Sequence, residues 1–184
     1  MVLSVLSGCA TSGSAPGAIN AHARWEESCG GITCDPCPCC KATAALARVA
    51  GQTLASRLDV KVLDSSSPVA YSFPDGSIYI ARGLVDRLTP DELAAVIAHE
   101  MGHLFHDGNI PSPAALRGIG SISHSRDIES AADCLGRQLL IEQGIDPKAL
   151  PNALQKVADA SRNSDFYAPL SARIRYLRSL DSTP

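Results

Sequence analysis

One HExxH motif constrains this chain more than any other feature: His99-Glu100-Met101-Gly102-His103. Residues four apart on an α-helix lie on the same face, one turn apart. Two imidazoles at that spacing can bind one metal ion, and zinc accepts neutral imidazole nitrogen while tolerating an open coordination position. The motif therefore predicts a zinc site on a helix, which also needs a third ligand and a cleft for a substrate.

The sequence before the motif contains a strong helix start. Thr89 is a suitable N-cap, Pro90 suits the first helical position, and Glu92 completes a capping box with Thr89. Apolar residues then recur near helical spacing at Leu93, Val96, Ile97, Met101 and Leu104. Both histidines are therefore predicted to lie on one helix whose apolar stripe enters a core.

The third ligand is predicted to come from a later helix. The pattern HExxHxxGxxH would need a histidine at position 109, but the chain has Asn109 there. The segment 125–133, SRDIESAAD, instead places Glu129 and Asp133 four residues apart on one helix face. We expect Glu129 to bind the metal and Asp133 to orient a ligating histidine, as partners behind metal ligands commonly do.

These motifs together resemble the gluzincin family of membrane-associated bacterial metalloproteases that includes HtpX and the CAAX prenyl protease, and its small lipoprotein members most of all. The matching residues are 76–84 (GSIYIARGL), 92–103 (ELAAVIAHEMGH) and 129–133 (ESAAD), and the resemblance spans roughly 41–178. It implies an α+β fold, a mainly helical minimal zincin-type domain whose small sheet or hairpin forms the cleft edge. It also implies one Zn²⁺ per chain, Glu100 as general base and polypeptide substrates.

The resemblance extends to the segment 166–177, which we interpret as a loop near the site. Family members typically have a His-Pro pair and then Arg-Ile here; Pro169 and Arg173-Ile174 match, whereas Tyr167 occupies the histidine position. Arg173 and Tyr167 are candidate donors to the oxyanion that develops on a scissile carbonyl. The substitution at Tyr167 leaves room for a second function, a non-proteolytic binding module for outer-membrane proteins that keeps the fold.

Composition limits the organisation of the chain. Its 184 residues, 45% hydrophobic and 19% charged, suit one globular domain, which we place at 41–184. A net charge of −3 gives no indication of a nucleic-acid partner. No apolar run approaches the roughly 20 residues of a membrane-spanning helix.

The N-terminal residues resemble a lipoprotein signal. Leu6-Ser7-Gly8-Cys9 is similar to a bacterial lipobox, in which Cys9 would be lipidated. Residues 1–9 are therefore predicted to be a signal segment. Because this segment has no basic residue, it is predicted to be a truncated signal. The alternative is an ordinary terminus with a chance cysteine. Residues 10–40 are predicted to be a flexible linker. We therefore expect the periplasmic side of the envelope, with a lipid anchor in the outer membrane and outer-membrane proteins among the partners.

Five of the seven cysteines cluster in this linker, at Cys29, Cys34, Cys37, Cys39 and Cys40. Disulfides are one interpretation, a structural zinc knuckle is a second and unpaired thiols are a third. The pairing cannot be read from spacing. A weaker hypothesis for the whole chain, a metal- or redox-sensing lipoprotein, depends on this cluster.

Periodicity and turn signals predict the remaining elements. Helices are predicted at 41–58, 83–88, 128–143 and 147–163, and strands at 60–64, 69–73 and 77–80, with 70–73 as the cleft edge. Residues 108–124 are a candidate lid. Gly102 lowers helix propensity, so we expect another element to pack closely against it. His106 is assigned to the cleft rim, His124 to a surface loop and Cys134 to the core as a small hydrophobic residue.

Overall fold

The computed structural model describes residues 23–33, 35–106, 128–160 and 167–181. This part of the chain is mostly helical and contains a three-stranded sheet, which confirms the predicted α+β class. The helices are α1 (23–28), α2 (Pro36–Ala55), α3 (Arg82–Val85), α4 (Pro90–His106), α5 (Ile128–Glu142), α6 (Ala149–Ala160) and α7 (Tyr167–Leu180). The strands are β1 (Asp59–Leu63), β2 (Ala70–Ser72) and β3 (Ser77–Ala81).

The sheet has the strand order β1-β3-β2, with β1 parallel and β2 antiparallel to β3. Residues 31–33 cover the outer edge of β1, because Ile32 forms a bridge with Leu63 and the Thr33 N–H donates to the Val62 carbonyl at 2.9 Å. Among the described residues, β2 pairs with β3 alone. The strand predicted to form the cleft edge is therefore an edge strand with one side unpaired.

Helix α4 is the centre of the fold. It packs against α2, α5, α6 and β2, and every residue from Glu92 to Phe105 is buried. The prediction of one apolar stripe is therefore too narrow, because neighbouring elements surround the helix. Charged side chains are rarely buried without a partner or a function, so the buried His99, Glu100 and His103 of α4 demand an explanation.

The start of α4 follows the predicted capping box. The Glu92 N–H donates to Thr89 Oγ1 at 3.3 Å, and the Thr89 N–H donates to Glu92 Oε2 at 2.7 Å. Lys156 of α6 donates to the same Glu92 oxygen at 2.6 Å. These contacts fix the first turn of the helix and join it to α6.

Replacing Thr89 by Ala is expected to lower the free energy of unfolding by about 1 kcal/mol, because the Glu92 N–H loses its side-chain acceptor. Urea denaturation of the purified protein measures this change. Thr89→Ser keeps the acceptor and is the matched control. Equal midpoints for the wild type and Thr89→Ala would show that the cap contributes nothing.

Two glycines allow α4 and α5 to approach closely. A Cβ atom added to Gly102 would lie 2.6 Å from the Ala132 carbonyl oxygen, and one added to Gly136 would lie 2.9 Å from the backbone nitrogen of His99. The close packing predicted at Gly102 is therefore confirmed. Because the two backbones touch at this crossing, side chains on α5 can reach the histidines of α4.

Some element boundaries differ from the predictions. Helix α2 begins at Pro36 rather than at 41, since Asp35 caps it by accepting the Cys37 N–H at 3.1 Å. Residues 23–33 and 35–40 of the predicted linker thus have defined structure, whereas the predicted signal segment 1–9 and the candidate lid 108–124 lie outside the described residues.

The predicted loop at 166–177 is wrong. Residues Tyr167–Leu180 form α7, with Leu170, Ile174 and Leu177 buried on one face. Pro169 lies in the first turn of this helix, where proline is tolerated because the turn needs no internal N–H donor.

Candidate metal centre

Three side chains converge between α4 and α5. The Nε2 atoms of His99 and His103 lie 3.2 Å apart. Glu129 Oε2 lies 3.5 Å from His99 Nε2, and Glu129 Oε1 lies 3.6 Å from His103 Nε2. Both histidines are buried, with 3% and 1% of their surface exposed. Among the described residues, these three form the group whose geometry could hold a metal ion.

The separations between these atoms fit one tetrahedral ion. Ligand atoms bound to zinc at 2.0–2.1 Å in tetrahedral geometry lie roughly 3.3 Å from one another. The three observed separations of 3.2, 3.5 and 3.6 Å are close to that value. Two imidazole nitrogens and one carboxylate leave a fourth position open, as catalytic zinc sites require. The residues present therefore fit zinc.

The two imidazoles have opposite proton affinities without a metal. Burial disfavours a charge on His99, but hydrogen bonding with Asp133 and Glu129 outweighs burial and raises its pKa to about 9. Burial and the neighbouring His99 charge lower the pKa of His103 to about 2. Near neutral pH the metal-free pair therefore carries one positive charge, on His99, and a metal ion that binds there must displace the additional proton.

Asp133 and Arg173 orient this group from behind. Asp133 is fully buried, and its Oδ1 lies 2.9 Å from His99 Nδ1. Arg173 of α7 donates to both Asp133 oxygens at 2.8 and 2.7 Å and lies 2.8 Å from Glu129 Oε2. Burial alone would raise the pKa of Asp133, but Arg173 and His99 hold it well below its usual range. The carboxylate is therefore ionised and fixes His99.

Arg173 was predicted either to support the metal ligands from behind or to donate to an oxyanion. Its guanidinium is engaged by the carboxylates of Glu129 and Asp133, and its side chain is 11% exposed. Its geometry suits holding the two α5 carboxylates in place. The sequence contains one signal for this arrangement, because an acidic residue on the buried face of a helix usually needs a cation.

Glu100 lies beside the histidines and is 2% exposed. Burial raises the pKa of its carboxyl group, whereas the His99 charge and a hydrogen bond with Ser72 of β2 oppose that shift. Its Oε1 atom has no hydrogen-bond partner among the described residues. A buried carboxylate oxygen without a partner is costly, which indicates that a ligand or water belongs there. Sequence reasoning did not identify Ser72.

A small apolar cavity adjoins His99 and Glu100. Its volume is about 30 Å³, and its remaining lining comes mainly from Ala70, Val96, Leu154 and Leu170. A water molecule needs at least about 10–15 Å³ of such space, so the cavity is a tight one. His99 and Glu100 therefore face a small, largely apolar space next to β2.

The remaining predicted residues lie elsewhere. Tyr167 is the first residue of α7, but its side chain, Cys9 and His124 are outside the described residues. His106 is the last residue of α4, half-buried and outside the group of three. Cys134 is half-buried, and burial raises the pKa of its thiol. Among the described cysteines, Cys29, Cys37, Cys40 and Cys134 are free thiols.

The chain is similar to known peptidases. A sequence profile described as Peptidase family M48 matches residues 41–118, which include the HExxH motif. Protease HtpX of Legionella pneumophila (strain Corby) is 28% identical over 92 residues, 48% of this chain and 33% of that protein. Beta-barrel assembly-enhancing protease of Yersinia pestis is 32% identical over 130 residues, 50% of this chain and 26% of that protein.

Metalloprotease LoiP of Escherichia coli (strain K12) is 28% identical over 155 residues, 66% of this chain and 62% of that protein. The chain thus spans about a third of the length of the HtpX relative and a larger share of LoiP. Within the described residues, no helix combines the length and the apolar character needed to cross a membrane.

Proposed function

The chain contains a peptidase family M48 domain, and on that premise we propose that it is a zinc-dependent endopeptidase. The observation that carries the proposal is the convergence of His99, His103 and Glu129 at separations of 3.2, 3.5 and 3.6 Å. These residues would hold one Zn²⁺, which when bound supplies Lewis acidity and lowers the pKa of its water toward about 7.

Glu100 is the proposed general base. Its Oε1 atom, which lacks a hydrogen-bond partner among the described residues, can accept a proton from the attacking water and deliver it to the leaving amine. The neighbouring Ser72 holds the Glu100 carboxylate by a hydrogen bond. Asp133 and Arg173 keep His99 and Glu129 oriented, which is the support that metal ligands need.

The proposed substrate is an extended polypeptide added to β2. The outer side of this strand is unpaired among the described residues, and Ala70 lines the cavity beside His99 and Glu100. Backbone pairing with an edge strand recognises an extended chain with little dependence on its sequence. Such recognition suits the removal of misfolded or misassembled proteins.

We place this activity in the bacterial cell envelope. The name of the Yersinia pestis relative connects that protein with β-barrel assembly, so outer-membrane proteins are proposed partners. We also propose that Cys9 carries a lipid anchor on the periplasmic side of the outer membrane. The peptidase domain then includes α1 and the whole of α2 in addition to the predicted 41–184, and the predicted linker 10–40 is reduced to the residues before α1. Mass spectrometry of Cys9 in the protein purified from membranes tests the anchor.

The experiment that tests the proposed function is cleavage of fluorescent casein by the purified chain, before and after removal of metal by a chelator. We expect cleavage to cease on chelation and to return when one equivalent of zinc is added. A chain that binds unfolded protein without cleaving it under any of these conditions would instead support the non-proteolytic binding module.

The variant Glu129→Ala is expected to lower zinc affinity by at least about a hundredfold, since losing a ligand should exceed the 10–100-fold effect typical of partners behind the ligands. Elemental analysis after dialysis should find close to one zinc ion in the wild type and almost none in the variant. Glu142→Ala is the matched control, because Glu142 is exposed on the same helix. Full zinc content in Glu129→Ala would remove Glu129 from the ligand set.

A further inference from the structure

The N-terminal segment packs on the face of the sheet opposite to the site. Trp25 of α1 makes edge contacts with three aromatic rings, at centroid distances of 5.2 Å to Tyr71, 4.9 Å to Phe73 and 5.0 Å to Tyr79. Edge-to-face aromatic packing of this kind is favourable and directional. Trp25 precedes the segment 41–118 that matches the peptidase family, whereas its three partners lie within that segment.

Strand β2 has two faces with different roles. Successive side chains of a strand point to opposite faces. Ala70 lines the cavity beside Glu100, and Ser72 hydrogen-bonds to Glu100, so one face of β2 meets the site. Tyr71 between them and Phe73 just after the strand contact Trp25 on the other face. Trp25 therefore packs against the strand that borders Glu100.

Polar contacts fix α1 in this position. Tyr79 donates its hydroxyl proton to Glu26 Oε1 at 2.6 Å, and Lys61 donates to the same oxygen at 3.4 Å. Tyr79 is fully buried and is the cross-strand partner of Tyr71. Burial and the bond with Glu26 raise the pKa of the Tyr79 hydroxyl to about 12, so it remains a donor at physiological pH. Trp25 is thus held by the residue that follows it.

Strand β2 needs such support because it is short and at an edge. It has three residues and pairs with β3 on one side only among the described residues. Few ladder hydrogen bonds hold a strand of this length, and segments with few contacts open most readily. If β2 fluctuated between conformations, it would present its unpaired backbone groups to a substrate in varying positions.

We propose that Trp25 is a positioning residue for substrate binding, which holds β2 in register with the catalytic groups from the opposite face of the sheet. This inference rests on the proposed function, because it assigns β2 to the binding of an extended peptide. The ring contacts of Trp25 are with Tyr71, Phe73 and Tyr79 of the sheet and the turn after β2, so we expect its effect to be on substrate binding rather than on the chemical step.

The test compares Trp25→Ala with the wild type on a fluorescence-quenched peptide taken from a casein cleavage site. We expect KM to rise about tenfold, kcat to change less than about threefold and zinc content to remain at one ion per chain, because a lost binding interaction raises KM alone. Hydrogen exchange of the 70–73 amides should quicken at least about tenfold. Trp25→Leu, which keeps apolar bulk, is the second variant if Trp25→Ala folds poorly.

Ile32→Ala is the matched control, since Ile32 is a 38% exposed apolar residue of the same N-terminal segment that pairs with β1 instead. It should leave KM and the exchange of 70–73 unchanged. A Trp25 variant with unchanged KM and unchanged exchange, or with only a smaller folded fraction, would overturn the proposal. If the wild type cleaves nothing, the proposed function fails, while the exchange measurement still decides whether Trp25 holds β2.

Discussion

Replacing Glu100 by Gln is expected to lower kcat by at least about a thousandfold while the protein keeps one zinc ion per chain. Proton transfer by a positioned side chain contributes about 10²–10⁴-fold to such reactions, and an amide cannot accept the proton. The metal should remain because Glu100 is outside the group of His99, His103 and Glu129. Gln has nearly the same shape as Glu, so the buried site should otherwise be unchanged.

Two measurements on one preparation check this result: zinc content by elemental analysis, and the rate of casein cleavage. Glu142→Gln, on the exposed face of α5, is the control for removing one carboxylate charge. Cleavage by zinc-loaded Glu100→Gln at more than a tenth of the wild-type rate would refute the assignment of Glu100 as the base.

Replacing Gly102 by Ala is expected to lower the free energy of unfolding by about 2–3 kcal/mol, the range for overpacking a tight contact. Helix propensity alone predicts the opposite sign, since Ala is about 1 kcal/mol better than Gly in a helix. The added methyl group would lie 2.6 Å from the Ala132 carbonyl oxygen, which is backbone and cannot turn aside. Helix α5 must therefore shift away from α4.

Zinc affinity should fall with this shift, because Glu129 and Asp133 travel with α5 while His99 and His103 remain on α4. Thermal unfolding and zinc content together test this expectation. Gly136→Ala should also lower stability and zinc affinity, since its methyl group would lie 2.9 Å from the backbone nitrogen of His99. A Gly102→Ala protein that is more stable and fully loaded with zinc would show that the gain in helix propensity outweighs the steric cost of the methyl group where α4 and α5 cross.

Local signals predicted much of the fold around α4. The capping box of Thr89 and Glu92 depends on residues three apart, and both of its hydrogen bonds are present in the structure. The HExxH spacing and the 129–133 spacing each describe one face of one helix, and the resemblance to a family linked them. These features were accessible because their geometry is set within a few residues.

Contacts between distant segments could not be predicted from such local patterns. The role of Arg173 depends on where α7 packs, and the segment 166–177 was interpreted as a loop rather than as part of that helix. Trp25 lies in the stretch 10–40, which was predicted to be a linker, yet its partners are 46 or more positions away, in β2, just after β2 and in β3. Nothing in the local pattern near Trp25 specifies those rings.

The brevity of β2 limits how firmly this chain can grip a polypeptide. Three residues, with one side unpaired among those described, offer only a few main-chain hydrogen bonds to an incoming strand. A folded protein would have to unfold locally to pair with β2, and so few hydrogen bonds would not offset the free energy of that unfolding. Under the proposed function, chains that are already unfolded have no such cost, so the short length of β2 would favour unfolded proteins over folded ones as substrates.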